Sequence, residues 1–158
     1  MTAEEQLVSL LRKKGYHIST AESCTGGMIA SSIVDISGAS DVFEEGYVTY
    51  SNRVKEKLLG VLPDTIEQFT VVSAEVAAEM AAGTHRSTGA EITIAVTGYA
   101  GPADAEDGTK AGTVYIGTWY QNTVQTKKFV FSGDRNEVRR QAATQAIAFA
   151  LERIQEVE

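Results

Sequence analysis

The chain has little of what several specialised protein classes require. It holds one cysteine, Cys24, in 158 residues, which excludes a disulfide framework. Its two histidines have no ligand partners at the short spacings of a zinc site. No apolar run approaches the ~18 residues of a membrane span, and the acidic, polar start differs from a signal peptide. We therefore expect a cytoplasmic protein with no membrane partner, no metal and no cofactor.

Positive charge is also scarce. There are 14 Lys and Arg residues against 21 Asp and Glu residues, which gives a formal net charge of -7. A nucleic-acid partner requires a basic face, and the one dense basic cluster comprises Arg135, Arg139 and Arg140. We therefore expect no nucleic-acid partner. The pattern Gly-x-x-x-x-Gly-Lys-Ser/Thr is absent as well, which excludes a nucleotide P-loop.

The length fits a single domain over residues 1–158, and hydrophobic periodicity predicts its elements. The predicted helices cover residues 2–14, about 28–36, 51–59, 63–69, 73–85 and 134 to about 157. The predicted strands cover residues 16–20, 43–50, 91–97, 113–120 and 123–131. Alternating strands and helices predict parallel crossovers, and a closing hairpin around Gln121-Asn122 adds antiparallel pairing. The predicted fold class is α/β, a three-layer α/β/α sandwich with a mixed, about five-stranded sheet.

Three polar loops follow predicted strands and are expected to converge on one cleft at the carboxyl ends of those strands. They span residues 21–27, 51–55 and 97–112. The first is a hydroxyl- and glycine-rich turn between a strand and a helix, a geometry that cradles an anion or holds a nucleophile and its oxyanion. The alternative is that this turn only caps the helix.

The side chains available for catalysis favour a hydroxyl nucleophile with a lysine base. His17 and His85 lie within a predicted strand and near the end of a predicted helix, which is typical of structural histidines, so a Ser-His-Asp triad is not expected. A lysine can accept a hydroxyl proton when burial lowers its pKa. Tyr50, Asn52 and Lys55 form a suitable group, with Lys55 about one turn into its helix. The alternative for Lys55 is a solvated surface lysine.

Five segments, in the same order, resemble the CinA carboxy-terminal domain family. They are residues 20–27 (Thr-Ala-Glu-Ser-Cys-Thr-Gly-Gly), 46–52 (Gly-Tyr-Val-Thr-Tyr-Ser-Asn), 97–102 (Thr-Gly-Tyr-Ala-Gly-Pro), 112–114 (Gly-Thr-Val) and 131–135 (Phe-Ser-Gly-Asp-Arg). The family includes stand-alone nicotinamide-nucleotide amidases of the pyridine nucleotide cycle. The resemblance implies the same layered fold and a homodimer. It also implies metal-independent hydrolysis of nicotinamide mononucleotide to nicotinate mononucleotide and ammonia.

The chain departs from the family pattern in one loop. The family has a glycine pair after its Gly-Pro and later Lys-Pro-Val-Gly, whereas this chain has Ala-Asp-Ala at 103–105 and Thr-Lys-Ala-Gly at 109–112. If this loop closes over the substrate, the protein's affinity or its substrate would therefore differ from those of the family.

Within this scheme, Ser23 attacks the amide carbon, Lys55 accepts its proton, and Tyr50 orients or relays. Cys24 and Thr25 are alternative nucleophiles, although Cys24 is also explained as a small buried hydrophobe. Glu22 either orients a hydroxyl or caps backbone N–H groups. The full set predicted to bind substrate or oxyanion is Glu22, Cys24, Thr25, Gly26, Gly27, Asn52, Thr97, Gly98 and Gly101. Arg135, Arg139 and Arg140 are the predicted phosphate ligands, with a solvated helix face as the alternative.

Three other functions compete with this hypothesis. In the first, the chain is a non-catalytic, competence- or damage-related binding module. In the second, it is an amidase for another small amide. The third is a nucleotide pyrophosphatase, which normally needs a carboxylate cluster holding a divalent metal, and only Asp104, Glu106 and Asp107 come near to one.

Overall fold

The structure, a computed structural model, describes residues 1–156 and shows the predicted order of elements. The helices are α1 (Ala3–Lys14), α2 (Met28–Val34), α3 (Asn52–Leu59), α4 (Pro63–Phe69), α5 (Ala74–Thr88) and α6 (Arg135–Gln155), with a 3-10 turn at Ala39–Asp41. The strands are β1 (Ile18–Glu22), β2 (Phe43–Val48), β3 (Ile92–Gly98), β4 (Thr113–Tyr120) and β5 (Thr123–Val130). The predicted last helix reached Val157, which lies outside the described residues.

The five strands form one mixed sheet in the order β2-β1-β3-β4-β5. Strand β1 is parallel to both neighbours, β2 and β3, whereas β4 is antiparallel to β3 and β5. The hairpin turns at Gln121 and Asn122, whose φ angles are 50° and 61°, because two left-handed residues match the twist of the flanking strands. The predicted mixed, five-stranded sheet is confirmed.

Helices cover both faces of the sheet and enclose two hydrophobic cores. Helices α1, α2 and α6 pack on one face around residues such as Leu7, Ile33 and Ile147. Helices α3 and α5 lie on the other face, where Met80 of α5 is fully buried. Helix α5 packs closely on β4 at Gly117, which has no side chain. A Cβ added at this position would lie 2.5 Å from a backbone carbonyl oxygen of α5. The predicted three-layer sandwich is confirmed. No helix within residues 1–156 is long and apolar enough to cross a membrane.

The boundaries of β1 and β2 differ from those predicted. This difference determines where the polar turn that carries the site begins. Strand β1 runs two residues further than predicted, to Glu22, because β2 and β3 pair with it on both sides and override the weak strand propensity of Ala and Glu. Strand β2 ends two residues early, at Val48. The polar turn therefore begins at Ser23, directly at the carboxyl end of a central strand. Helix α2 also ends two residues early, and α5 continues three residues further.

Candidate active site

The three polar loops meet in a cavity of about 200 Å³ at the carboxyl ends of β1 and β3. Ser23 comes from the turn after β1, Lys55 from the first turns of α3, and Gly98 from the end of β3. The predicted convergence is therefore confirmed. Arg135, the first residue of α6, lies at the same cavity from the opposite layer.

Lys55 and Ser23 form the only side-chain hydrogen bond between those loops within residues 1–156. Lys55 Nζ donates to Ser23 Oγ at 3.1 Å and to the carbonyl oxygen of Thr49 at 2.8 Å. Ser51 caps α3 through its hydroxyl, so Lys55 lies one turn in and points to the strand end. Only 1% of Lys55 is exposed, so the alternative of a solvated surface lysine is wrong.

Burial prepares the Lys55 amine to act as a base. Desolvation lowers the pKa of Lys55 from 10.5 to about 8, because the charged ammonium loses its water. Roughly a tenth of the molecules then carry a neutral amine at pH 7, against fewer than about one in a thousand for a free lysine. A neutral amine 3.1 Å from a hydroxyl has the geometry of a general base.

The other two nucleophile candidates are placed less well. Cys24 is 5% exposed, and burial raises the pKa of its thiol to about 11, so the reactive thiolate is disfavoured. Its sulfur packs against Gly98, where an added Cβ would lie 3.0 Å from Sγ. Thr25 is fully buried and does not line the cavity. Ser23 is therefore the hydroxyl that both faces the cavity and contacts the base.

Glu22 caps a helix and does not orient a hydroxyl. Its Oε1 accepts from the amide of Ile29 at 2.9 Å and its Oε2 from the amide of Ala30 at 3.0 Å. The carboxylate therefore occupies the N-terminal end of α2, which is thereby closed to a substrate anion. Of the two roles that the sequence left open for Glu22, capping of backbone N–H groups is confirmed.

The turn that carries Ser23 leaves several backbone donors free. Gly26 and Gly27 have φ angles of 57° and 109°, values that side chains rarely adopt. The amide of Gly26 donates to the carbonyl of Ser23, and the amide of residue 28 donates to that of Thr25. Within the described chain, the amides of Cys24, Thr25 and Gly27 make no hydrogen bond to a backbone carbonyl. Of these three residues only Cys24 also lines the cavity, so its amide is the turn's nearest donor for an oxyanion.

Tyr50 does not contact the serine–lysine pair. Its side chain is 63% exposed, and its hydroxyl accepts from Arg135 Nη2 at 3.1 Å. Strand β2 ends at Val48, and the carbonyl oxygen of the next residue, Thr49, accepts a hydrogen bond from Lys55 Nζ. Tyr50 therefore turns toward the mouth of the cavity. The predicted proton relay through Tyr50 is therefore absent from this geometry.

The three arginines of α6 have different positions. Arg135 lines the cavity and donates from Nη1 to the carbonyl of Gly101 at 2.7 Å. Arg139 donates from Nε to the carbonyl of Cys24 at 2.8 Å and supports the serine turn from behind. Arg140 lines a separate groove between α2 and α6. Of the three predicted phosphate ligands, only Arg135 faces the cavity.

Sequence reasoning missed part of the cavity wall. Val71, Val72 and Tyr99 line it, as does Asn52, which the sequence proposes as a substrate ligand. Thr97 also lines the cavity, but its hydroxyl donates to the carbonyl of Val71 at 2.9 Å. The valines come from the link between α4 and α5, and their apolar side chains carry no chemical group that a sequence pattern would assign to a site.

Fold and site together define a three-layer α/β protein with a buried serine–lysine pair at the carboxyl edge of its sheet. The family model of the CinA C-terminal domain matches residues 1–154. The chain belongs to this family, which confirms the predicted resemblance.

Known proteins similar to the chain include both longer and equally short ones. It is 47% identical over 146 residues to a CinA-like protein of Kosmotoga olearia, a match that covers 92% of this chain and 35% of that protein. The chain spans about a third of the length of this and several other curated relatives. It is 44% identical to the nicotinamide-nucleotide amidohydrolase PncC of Enterobacter agglomerans, with coverage of 92% and 90%. A CinA superfamily protein from Klebsiella pneumoniae has a TM-score of 0.94 at 34% identity, with coverage of 98% and 96%.

Proposed function

We propose that the protein is an amidohydrolase that converts nicotinamide mononucleotide to nicotinate mononucleotide and ammonia. The observation that carries this proposal is the buried contact between Lys55 Nζ and Ser23 Oγ, 3.1 Å long, in a cavity. The similarity over 90% of the Enterobacter agglomerans amidohydrolase supports the choice of substrate.

The proposed reaction has two stages that share one base. In the first, Ser23 Oγ attacks the carboxamide carbon while neutral Lys55 accepts the hydroxyl proton. Lys55 then returns that proton to the amide nitrogen, the C–N bond breaks, and ammonia leaves an acyl-serine ester. In the second stage, water attacks the ester with Lys55 again as base, which releases the carboxylate and restores Ser23.

Backbone amides supply the proposed oxyanion site. The carbonyl oxygen becomes negative as the tetrahedral intermediate forms, and preorganised N–H donors stabilise that charge. The amide of Cys24 borders the nucleophile, and Gly98 lies across the cavity. This assignment keeps the predicted oxyanion role of the turn and requires no side chain.

Ammonia release tests the function directly. Purified protein incubated with nicotinamide mononucleotide should release ammonia and nicotinate mononucleotide in equal amounts, measured by a coupled ammonia assay and by chromatography. The rate should persist in a chelator, because the residues 1–156 contain no group of three or more His, Cys, Asp and Glu side chains placed to hold a metal. Loss of the rate in chelator would contradict metal-independent hydrolysis, whereas cleavage of a dinucleotide pyrophosphate without ammonia release would favour a pyrophosphatase. No ammonia from any small amide, with folded protein, would favour a binding module.

Arg135 is the proposed phosphate ligand. Arg135→Gln should raise KM for nicotinamide mononucleotide by about 10- to 100-fold, because a charge-assisted hydrogen bond is worth ~1.5–3 kcal/mol. The KM for nicotinamide riboside, which has no phosphate, should change much less. Arg140→Gln is the matched control and should leave both values near wild type, since Arg140 lines a different groove. Equal losses on both substrates in Arg135→Gln would contradict the assignment.

A further inference from the structure

The link between α4 and α5 contains a strained residue. Thr70 has φ 67° and ψ 162°, a region of the backbone map that is essentially restricted to glycine. Threonine is branched at Cβ, so this conformation is especially unfavourable for it. Such strain persists only when the surrounding structure imposes it, and it clusters at functional sites.

Three hydrogen bonds from three elements hold this link. The amide of Thr70 donates to the carbonyl of Ile66 in α4 at 2.9 Å. Ser73, the cap of α5, donates from its hydroxyl to the carbonyl of Thr70 at 2.9 Å. Thr97 of β3 donates from its hydroxyl to the carbonyl of Val71 at 2.9 Å. The link is therefore fixed to the same strand that borders the catalytic cavity.

The link supplies the aliphatic wall of that cavity. Val71 and Val72 line it together with Lys55, and they are the only aliphatic side chains larger than alanine that do so within the described chain. Val71 also packs on the core cluster that contains Leu59 and Ala95. The wall is thus continuous with the hydrophobic core beneath it.

Within residues 1–156, no carboxylate lines the cavity, so solvent exclusion is the main control on the Lys55 amine. The titratable and charged groups that line it with Lys55 are Cys24 after β1, Tyr50 after β2, Tyr99 after β3 and Arg135 of α6. Burial raises the pKa of Cys24 to about 11, so its thiolate is disfavoured at neutral pH. The wall therefore supplies no carboxylate or thiolate counter-ion that would favour the protonated amine.

We propose that Val71 and Val72 are positioning residues that exclude water from the Lys55 amine, and that the hydrogen bonds holding the link impose the strained conformation of Thr70 that places them there. The kinetic consequence rests on the proposed amide hydrolysis, in which Lys55 must be neutral to accept the serine proton. The valines touch no proton themselves. They act through the solvation of Lys55.

Near-isosteric polar variants test this inference. Val71→Thr and Val72→Thr keep the side-chain shape but add a hydroxyl that binds water. The pKa of Lys55 should then rise from about 8 toward its ordinary 10.5. The acidic limb of the pH profile of kcat/KM should move up by the same amount, and each unit lowers the rate at pH 7 about tenfold. Val124→Thr, on β5 and outside the cavity, is the matched control and should leave the profile unchanged.

A second readout does not depend on activity. NMR titration of the protein with ¹³C-labelled lysine, assigned with a Lys55→Met variant, gives the pKa of Lys55 directly. A shift in the valine variants supports the inference even if the wild type releases no ammonia, an outcome that would remove the proposed function alone. An unchanged Lys55 titration in both valine variants would overturn the inference, whatever the activity.

Thr70→Gly tests the role of the strain without adding a polar atom to the wall. Glycine adopts the observed backbone conformation freely, so the variant should fold with a melting temperature no lower than that of the wild type. Because glycine lowers the cost of the observed conformation and the three hydrogen bonds to the link remain, the valine wall should stay in place and the Lys55 titration should match that of the wild type. An upward shift like that of the valine variants would show that the Thr70 side chain holds the wall and would overturn this part of the inference.

Discussion

Ser23→Ala should lower the rate of ammonia release by about 10⁴-fold or more, because the variant has no atom to form the acyl intermediate. Binding should survive, since the substitution removes one oxygen and leaves the cavity wall intact. The measurement is kcat for nicotinamide mononucleotide, accompanied by the dissociation constant from calorimetry. A large fall in kcat with a nearly constant dissociation constant is the expected pattern.

Cys24→Ala is the matched control from the same turn. It removes the neighbouring nucleophile candidate, and its kcat should stay within a few-fold of wild type because the thiol is buried and protonated. Some loss of thermal stability is expected, since the sulfur packs against Gly98. Full activity in Ser23→Ala, or loss of activity in Cys24→Ala alone, would assign the nucleophile to another residue.

Lys55→Met should abolish turnover and at the same time stabilise the fold at neutral pH. The expected fall in kcat is about 10²- to 10⁴-fold, the usual contribution of a general base. Below pH 8 the wild type keeps a buried ammonium, at a cost of about 3 kcal/mol given its lowered pKa. Methionine removes this cost, although the carbonyl of Thr49 loses its donor, which costs about 1–3 kcal/mol. A higher melting temperature at pH 7 is the expected net result.

The pH dependence identifies the origin of this stabilisation. The pKa of Lys55 is lower in the folded than in the unfolded state, so between about pH 8 and 10.5 the unfolded state binds more protons. Wild-type stability due to Lys55 therefore rises with pH across this window, and the advantage of Lys55→Met should shrink. Urea unfolding of both proteins at pH 7 and 9.5 measures this difference in stability. A difference in stability between the wild type and Lys55→Met that does not change with pH would mean that the lysine is not desolvated.

Local signals were sufficient to predict most of the fold. Thr2 and Glu5 form the capping box of α1, as their spacing predicts, and Asp134 and Glu137 do the same for α6. The hairpin at Gln121 followed from its length and turn residues. These features depend on interactions between residues close in sequence. Strand ends were less predictable, because pairing with β2 and β3 extended β1 beyond what its own residues favour.

The site was predicted in part, for a physical reason. The meeting of Lys55 with Ser23 followed from topology, since the carboxyl ends of parallel strands share one edge of a sheet. The direction of the Tyr50 side chain could not be predicted from topology, because it depends on the residue at which β2 ends. Nor could the choice among the arginines, since Arg135, Arg139 and Arg140 contact three different surroundings although they occupy one helix. The position of Val71 and Val72 depends on the backbone conformation of Thr70 and on hydrogen bonds from distant elements, which no residue pattern reveals.

Arg135 donates to the carbonyl of Gly101 and to the hydroxyl of Tyr50, so one guanidinium joins the loop after β3 to the residue that follows Thr49 beyond β2. A phosphate that pairs with this guanidinium has to compete with both partners for the same N–H groups. In the proposed reaction, binding of the nucleotide's phosphate would therefore weaken the link between these two loops while its carboxamide reaches Ser23.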